Sequence, residues 1–368
     1  MKNNISVIGI GKLGLCFALT LERADYNVIG VDISPEYVSK VNNKTLKSAE
    51  ENVERFLLES KNLTATTSLS EAVEHSNVLF VVVATPSLES GRYDHAQVDA
   101  LVENIQQLGE QKQKKQLVIC CTTMPEYCDT VQERLDSYNY EVSYNPEFIA
   151  QGTILKNQLF PDMILVGEAS KEAGDVIEEI CKRHTANEPS IHRMTRTEAE
   201  ICKISLNCFL TTKIAFANMV GDIATSANVR PEKILSAVGS DIRIGNKYLR
   251  YGFGYGGPCF PRDNRALAIY AKDKEQQALI SVASDTSNKN HLENQVNEFC
   301  KVTDTQETVV FESVTYKPES VILEESQQLF YAVEIAKRGY SVLIKEREQV
   351  VKELKQRYGG LFRYETRD

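Results

Sequence analysis

Over the first 150 residues, runs of consecutive apolar residues alternate with segments in which apolar residues recur every three or four positions. Uninterrupted apolar runs are typical of strands buried on both faces of a sheet, and the wider spacing is typical of amphipathic helices. The runs that we interpret as strands are ISVIGIG, NVIGVDI, VLFVVVATP (78–86), LVICCTTMP (117–125) and EVSYNPEF (141–148). Their alternation with helices predicts an α/β protein with an N-terminal Rossmann-type doubly wound parallel sheet.

A long helix is predicted in the middle of the chain. From Thr197 to Asn228, apolar residues recur at helical spacing, and no helix breaker occurs before Gly221. Lys203 and Asn207 are four residues apart, so they share one face of this helix. A lysine on an apolar helix is usually a surface group whose stem covers its apolar neighbours. The alternative is that the Lys203 and Asn207 pair meets a ligand, and spacing alone leaves both interpretations open.

Near the C-terminal end the pattern becomes strand, helix, strand, in TVVFESVTYK, SQQLFYAVEIAKRGY and SVLIKE. A chain of 368 residues is too long for one ordinary core. We therefore predict a sheet domain over 1–190 and a central helical domain over 191–298. A C-terminal α/β domain is predicted over 299–368.

Composition and charge narrow the function classes. Lys and Arg total 42 and Asp and Glu total 51, which gives a net charge of −9 and argues against nucleic-acid binding. No apolar stretch approaches the ~18 residues of a membrane helix, and the start lacks the features of a secretory signal. The nine cysteines are scattered, with no C-x-x-C pair, so we expect no metal site and a reducing, cytoplasmic location.

The first strand runs into Gly9, Gly11 and Gly14, spaced as G-x-G-x-x-G, and a helix, a second strand and Asp32 follow. This arrangement is typical of a dinucleotide site, in which the glycines allow a tight turn, approach of a pyrophosphate and close helix packing. The helix N-terminus adds N–H groups and positive potential for the phosphates. Asp32 can accept hydrogen bonds from ribose hydroxyls and would repel a 2′-phosphate, which favours NAD over NADP.

Four positions fall at or after the carboxyl ends of predicted strands, where ligands of such sheets lie: Asp32, Thr85, Thr123 and Glu147. For Thr122 and Thr123, helix capping is an equally good explanation from spacing alone.

The run GFGYGGPCFPRD (252–263) places four glycines before Cys259, prolines on both sides of it, and Arg262 and Asp263 behind it. A thiol is chemically useful as thiolate, and its reactivity follows its surroundings. Other cysteines, such as Cys202 and Cys208 in the long helix, fit the pattern of small core residues. The density of permissive residues around Cys259 instead indicates a reactive thiol.

These motifs resemble the UDP-glucose/GDP-mannose dehydrogenase family, in the family's order, from Gly9 to about residue 326. The family's loop G-x-G-G-x-C-x-x-K-D is matched by GYGGPCFPRD, with arginine for lysine. DIRIGNKYL (241–249) resembles the family's R-I-G segment, most closely in UDP-glucose members, and NPEF (145–148), TTMP (122–125) and the Lys203/Asn207 helix also match.

The resemblance implies a four-electron oxidation of a sugar C6 alcohol to a carboxylate, with two NAD⁺ per sugar. It implies that Cys259 captures the aldehyde as a thiohemiacetal, which is oxidised to a thioester and cleaved by water. Asp263 and Thr123 would position or deprotonate water and hydroxyl, Lys203 would stabilise the oxyanion, and Glu147 would assist hydrolysis. Asn207 is predicted beside them. The arginine of the R-I-G segment reaches the partner subunit's site in this family, so a homodimer is implied.

The resemblance also supplies the contacts expected for cofactor and UDP-sugar. The cofactor set is Gly9, Ile10, Gly11, Lys12, Leu13, Gly14, Asp32, Thr85, Pro86, Thr122, Thr123, Gln151 and Arg262. The substrate set is Glu147, Phe148, Gln151, Lys203, Asn207, Arg243, Arg250, Tyr251, Gly252, Phe253, Gly254, Tyr255, Gly256 and Lys317.

Three features depart from the family pattern. Gln151 replaces the glutamate of P-E-F-L-x-E-G, and Glu324 replaces an arginine expected near NAD, although Lys317 of the same motif is retained. The C-terminal domain is also shorter than the family's.

Three functions therefore stay open. The first is an active nucleotide-sugar 6-dehydrogenase, with UDP-glucose as the favoured substrate and a UDP-N-acetylhexosamine or GDP-mannose as alternatives. The second is a two-electron β-hydroxyacid-type dehydrogenase, in which Cys259 is incidental. The third is a catalytically weak or silent homologue that binds nucleotide sugar, which Gln151, Glu324 and the short C-terminal domain favour.

Overall fold

The computed structural model describes residues 3–149, 152–317 and 320–367. The chain forms two compact units, Met1–Lys203 and Ile204–Asp368. The three-domain division with boundaries at 190 and 298 stays a prediction. Within the described ranges, no helix combines the length and apolar character needed to cross a membrane.

The first unit contains, among its described residues, an eight-stranded sheet in the order β3-β2-β1-β4-β5-β6-β7-β8. Its strands are β1 (Asn4–Ile8), β2 (Asn27–Val31), β3 (Leu63–Thr66), β4 (Val78–Val81), β5 (Lys115–Ile119), β6 (Tyr140–Tyr144), β7 (Met163–Gly167) and β8 (Ser190–Met194). Its helices are α1 (Lys12–Arg23), α2 (Pro35–Asn42), α3 (Val53–Glu59), α4 (Leu69–His75), α5 (Ala96–Gln107), α6 (Tyr127–Leu135), α7 (Ile154–Leu159) and α8 (Lys171–His184), and a short 3-10 helix covers Asp136–Tyr138.

The sheet is parallel except where β7 meets β6, so the predicted doubly wound α/β fold is confirmed. Strand β1 pairs with β2 on one side and with β4 on the other, and the chain reverses its direction of winding there. The carboxyl ends of strands at such a reversal form the ligand crevice of this class of sheet. Alternate residues along the strands enter separate cores, for example Val7 in one and Ile8 in the other.

Several predicted strands end earlier than expected. Strand β4 ends at Val81 and β5 at Ile119, so Thr85, Pro86, Thr122 and Thr123 lie in loops beyond the strands. The apolar runs continue past the strand ends because those loops are themselves buried, as Cys120, Cys121 and Met124 show. In contrast, α1 begins at Lys12, which places Leu13 and Gly14 in its first turn.

Helix α9 (Arg196–Ser226) agrees with the predicted long helix to within two residues and runs from the first unit into the second. The second unit continues with α10 (Pro231–Gly239), α11 (Phe260–Asp273), α12 (Leu279–Val302), β9 (Thr308–Phe311), α13 (Gln327–Lys337), β10 (Ser341–Glu346), α14 (Glu348–Tyr358), a 3-10 helix (Gly359–Leu361) and β11 (Arg363–Thr366).

The C-terminal strands form a small parallel sheet in the order β11-β10-β9, and α14 and β11 are elements that the apolar pattern did not indicate. Strand β9 stops at Phe311, well before Lys317. The buried Glu346 carboxylate accepts hydrogen bonds from Ser313 and from the Val314 N–H, which holds the chain after β9 in a loop.

Candidate active site

The glycine turn has the shape that the sequence predicts. Gly9 adopts a positive φ of 90°. At Gly14 a side chain would place its Cβ 2.0 Å from the Gly9 carbonyl oxygen, so only glycine allows α1 to pack this closely. At Gly11 a Cβ would meet nothing within 4 Å. The turn therefore packs tightly against α1 at Gly14 and leaves open space at Gly11, beside the N-terminus of that helix. This open space fits the phosphates of a dinucleotide.

The neighbouring predicted cofactor contacts are of two kinds. Ile10 is fully buried and Leu13 packs against the same core, so contact with a cofactor falls to their backbone atoms. Asp32 follows β2 and stands half-buried, and its Oδ1 accepts a hydrogen bond from the Ser34 N–H at 2.9 Å. That bond fixes the carboxylate at the carboxyl end of β2, where it can meet ribose hydroxyls.

Glu50 is a residue that sequence reasoning missed. It is 4% exposed, and its carboxylate pairs with Lys12 at 3.0 Å and accepts hydrogen bonds from the N–H groups of Gly152 (2.8 Å) and Ile154 (3.2 Å). Burial raises the pKa of Glu50, but these three donors lower it by more, so the net direction is down. Glu50 thereby ties the start of α1 to the loop that follows Glu147.

A side-chain hydrogen bond joins the loop that follows β4 to the loop that follows β5. Thr85 is buried and donates to the Thr122 carbonyl at 2.7 Å, whereas the neighbouring Pro86 is exposed. Thr123 is fully buried and donates its hydroxyl proton to Glu200 at 2.9 Å. The two predicted cofactor loops are thus held next to one another at the carboxyl edge of the sheet.

Glu200 also caps the N-terminus of α6. Its carboxylate accepts hydrogen bonds from the N–H groups of Glu126 (2.6 Å) and Cys128 (2.9 Å) at the start of α6. The cap of this helix is therefore Glu200 and not Thr122 or Thr123. Burial raises the pKa of Glu200 against the lowering effect of the hydrogen bonds from Cys128 and Thr123. The signal available in the sequence was an acid in a mainly apolar helix, three residues before Lys203.

Three predicted residues meet in the first unit. Lys203 is 7% exposed, donates to the backbone carbonyl of Glu147 and lies 4.3 Å from the centre of the Phe148 ring. The surface interpretation of Lys203 is therefore wrong. The Glu147 carboxyl accepts a long hydrogen bond of 3.5 Å from Gln158. Burial raises the pKa of Glu147 to about 7, although Gln158 and Lys203 oppose the shift. The predicted contact Gln151 lies outside the described residues.

In the second unit, Cys259 is exposed and immediately precedes α11, whose Asp263 N–H donates to the Cys259 carbonyl at 2.9 Å. The positive end of the helix stabilises the negative charge of a thiolate at this position. The fully buried Asp263 accepts hydrogen bonds from the Asn207 amide at 2.6 Å and from Arg262 at 3.2 Å. The structure therefore brings Asn207, Arg262 and Asp263 together one helical turn beyond Cys259.

The glycine loop before Cys259 is packed against its own unit. A side chain at Gly256 would place its Cβ 2.1 Å from the Glu325 carbonyl oxygen, so this approach requires glycine. Tyr255 is buried, and its hydroxyl bonds to Asp285 and Asn264, so its side chain is engaged within the unit. Phe253 is exposed and packs edge-on against Tyr331.

The remaining predicted substrate residues differ in exposure. Arg243 is exposed and pairs with Asp241 at 2.7 Å, and Arg250 is exposed as well. Tyr251 donates to Asp222 at 3.1 Å. Lys317 is half-buried, and its carbonyl accepts from Thr315 at 2.9 Å.

Two family models match this chain. One describes the NAD-binding domain of the UDP-glucose/GDP-mannose dehydrogenase family and matches residues 3–185. The other describes the central domain of the same family and matches residues 197–290. The predicted family and the predicted cofactor, NAD, are therefore confirmed.

Individual relatives agree with these models. UDP-glucose 6-dehydrogenase of Pseudomonas aeruginosa is 30% identical over 92% of this chain and 77% of its own length. GDP-mannose 6-dehydrogenase of the same organism is 29% identical over 93% of this chain and 81% of its own length. A solved UDP-glucose dehydrogenase from Pyrobaculum islandicum superimposes with a TM-score of 0.87 at 27% identity, covering 100% of this chain and 86% of that one.

Proposed function

The chain belongs to the UDP-glucose/GDP-mannose dehydrogenase family, and we propose that it oxidises the C6 alcohol of a nucleotide sugar to a carboxylate in two successive steps. The substrate we favour is UDP-glucose, which would give UDP-glucuronate. The R-I-G segment at Arg243–Gly245 supports this choice, since it is most similar to the UDP-glucose members. NAD⁺, when bound, accepts one hydride in each oxidation.

The observation that carries this proposal is the placing of Cys259. The thiol is exposed at the positive end of α11, and the buried Asp263 and Asn207 are hydrogen-bonded to each other at 2.6 Å one turn further on. A two-electron oxidation of an alcohol needs no nucleophilic thiol, whereas conversion through the aldehyde to an acid gains from one, because a bound aldehyde cannot escape between the two oxidations.

Capture of the aldehyde by the thiol separates the two oxidations, and hydrolysis completes the reaction. The first oxidation removes a hydride and a proton from the alcohol and gives the aldehyde. The Cys259 sulfur adds to the aldehyde carbon, and the carbonyl oxygen takes a proton to form a thiohemiacetal. Loss of a second hydride and a proton gives a thioester, and water then cleaves the carbon–sulfur bond to release the carboxylate and the thiol.

The remaining residues have separate proposed roles. The Lys203 ammonium, already buried and oriented by the Glu147 carbonyl, would stabilise negative charge that develops on the sugar oxygen. Asp263 and Thr123 would orient the hydroxyl or water. Asp263 is held by Asn207 and Arg262, and Thr123 is held by Glu200. Glu147 would take the proton from the hydrolytic water.

The first test is the stoichiometry of NADH formation with UDP-glucose and NAD⁺, followed at 340 nm. We expect two NADH for each sugar consumed. One NADH per sugar would support the two-electron dehydrogenase instead. If UDP-glucose is inert, UDP-N-acetylhexosamines and GDP-mannose are tested in the same assay. Inertness with all of them, together with nucleotide-sugar binding, would support the silent homologue.

We also propose that the protein is a homodimer formed through α9. Phe209, Phe216, Met219 and Ile223 recur at spacings of seven, three and four residues, so they share one face of that helix. These four apolar side chains are 66%, 45%, 43% and 63% exposed. Exposed apolar side chains that share one face of a helix are typical of a protein interface, and a second copy would bury the same face by symmetry.

Ile223→Glu is expected to convert the dimer to a monomer, because each copy would bury an unpaired carboxylate in the apolar interface. Light scattering after gel filtration measures the mass. The matched control is Leu58→Glu on α3, since Leu58 is also 63% exposed but lies in the other unit. A dimer that persists in Ile223→Glu, or a wild-type monomer, would contradict this interface.

A further inference from the structure

Helix α12, which is described over its full length, buries mainly polar side chains. Its buried residues are Ser281, Ser284, Asn288, His291 and Val296. A helix of this length in a globular protein ordinarily buries an apolar stripe. Because burying polar groups is unfavourable unless they form hydrogen bonds, this face must serve specific partners.

The partners are backbone groups of the glycine loop. Asn288 accepts from the Tyr255 N–H and donates to the Tyr255 carbonyl, both at 2.9 Å. The Gly252 carbonyl accepts from His291 at 2.6 Å and from Gln295 at 3.2 Å. A glycine-rich loop has no strand or helix partners for its own polar groups, and α12 supplies them.

His291 differs from Asn288 and Gln295 because its two ring nitrogens meet groups on two different segments. It is 1% exposed, its Nε2 faces the Gly252 carbonyl and its Nδ1 lies 2.8 Å from an Asp222 carboxylate oxygen. A carbonyl oxygen and a carboxylate oxygen are both hydrogen-bond acceptors, so each ring nitrogen of His291 faces an acceptor. His291 thereby links α12 to two other segments, to the glycine loop through Gly252 and to α9 through Asp222.

Asp222 accepts hydrogen bonds from several neighbouring side chains. Besides His291, it accepts hydrogen bonds from the Tyr251 hydroxyl and from Asn294, each at 3.1 Å. Burial raises the pKa of Asp222, but the hydrogen bonds from His291 and Asn294 lower it by more. The charged carboxylate is therefore the favoured form of Asp222.

We propose that His291 is a positioning residue which, through its pairing with Asp222, fixes the loop from Gly252 to Tyr255 in the conformation that binds the nucleotide sugar. This role rests on the proposed function and on the expectation that the loop from Gly252 to Gly256 contacts the nucleotide sugar. A loop that is already ordered in the free protein loses less conformational entropy on binding, so His291 would increase affinity for the substrate without touching it.

The test compares His291→Gln and Asp222→Asn with the control Gln295→Ala. Gln295 donates to the same Gly252 carbonyl but has no contact with Asp222 among the described residues. Hydrogen exchange of the loop amides in the ligand-free protein is measured first. We expect exchange at Gly252–Tyr255 to accelerate about tenfold in the first two variants and clearly less in the control, as for loss of a hydrogen bond to a charged group.

Steady-state kinetics with UDP-glucose as the probe give the second measurement. The KM for UDP-glucose should rise about tenfold in His291→Gln while kcat stays within about threefold, because the lost interaction affects binding and not the chemical steps.

Unchanged loop exchange in both variants would overturn the positioning role. So would equal acceleration throughout the second unit, for example in α13, because that is the behaviour of an ordinary structural residue. Exchange is measured without substrate, so these outcomes do not depend on whether the wild type oxidises UDP-glucose. Failure of the wild type to oxidise any nucleotide sugar would overturn the proposed function instead.

Discussion

Cys259→Ser is expected to lower uronate formation by about a thousandfold or more, as removal of a covalent nucleophile does in enzymes whose catalytic groups act as a unit. A serine hydroxyl at this position is a far weaker nucleophile than a thiolate, because its proton is much harder to remove. NADH formation at 340 nm and chromatography of the sugar products measure the loss. Intact-protein mass spectrometry should show a sugar adduct in the wild type that is missing from the variant.

Cys300→Ser is the matched control for this experiment. Cys300 lies in α12 of the same unit and is half-buried, so its substitution tests the general effect of removing one sulfur. We expect its activity to remain close to that of the wild type. Full activity in Cys259→Ser would show that the thiol is incidental, and the two-electron dehydrogenase would then become the better proposal.

The sequence could predict those features whose determinants are close together along the chain. The glycine turn, α1, β2 and Asp32 occupy one continuous stretch, so turn geometry, helix start and acid position are all visible in the spacing. The same holds for Cys259 and Asp263, which the first turn of α11 brings together. Local chemistry dictates both arrangements.

Contacts between distant segments could not be predicted in this way. Thr123 and Glu200 are 77 residues apart, and Glu50 and Gly152 are 102 apart. His291 reaches Asp222 across 69 residues and Gly252 across 39. Each pairing depends on how whole elements pack, and a polar residue on a helix face does not reveal whether a partner or water will meet it.

The predicted carboxyl ends of β4 and β5 are wrong for a related reason. Apolar composition reports burial, and it predicts a strand only where neighbouring strands also continue. The segment after β5 stays buried through Met124, but Glu200 binds the N–H groups of Glu126 and Cys128 that follow. A side chain from α9 thus satisfies backbone groups that the sheet does not.

Glu147→Gln is expected to slow hydrolysis of the thioester by about a hundredfold or more, which is the usual effect of removing a general base. The amide keeps the size of the side chain and cannot accept the proton of the hydrolytic water. Since formation of the thioester does not need this proton transfer, the variant should release a burst of NADH and then stall. The reaction is quenched during the stall, and the mass of the intact protein should then reveal the acyl adduct. Mass spectrometry after digestion should locate the adduct on the peptide that contains Cys259.

Glu141→Gln controls for loss of a carboxylate from the same segment, because Glu141 lies in β6, pairs with Lys114 at 2.9 Å and precedes the site. Its turnover should match that of the wild type. Absence of both a burst and an adduct in Glu147→Gln would assign Glu147 to an earlier step or to none.

The pH dependence distinguishes a base from a residue that only shapes the site. Burial raises the pKa of Glu147 from its ordinary 4.5 to about 7. The catalytic form is the carboxylate, so the hydrolysis rate of the wild type should rise with pH up to about 7 and then level off, and Glu147→Gln should lose this inflection.

The contribution of Glu147 to folding stability should change with pH in the opposite direction. The folded protein keeps the Glu147 proton at pH values where the unfolded chain has lost it, so this residue's contribution to stability falls as pH rises from about 4.5 to 7. Urea unfolding of the wild type and of Glu147→Gln at pH 5 and pH 8 measures that difference. A variant that loses activity but keeps both pH responses would show that the titrating group lies elsewhere in the site.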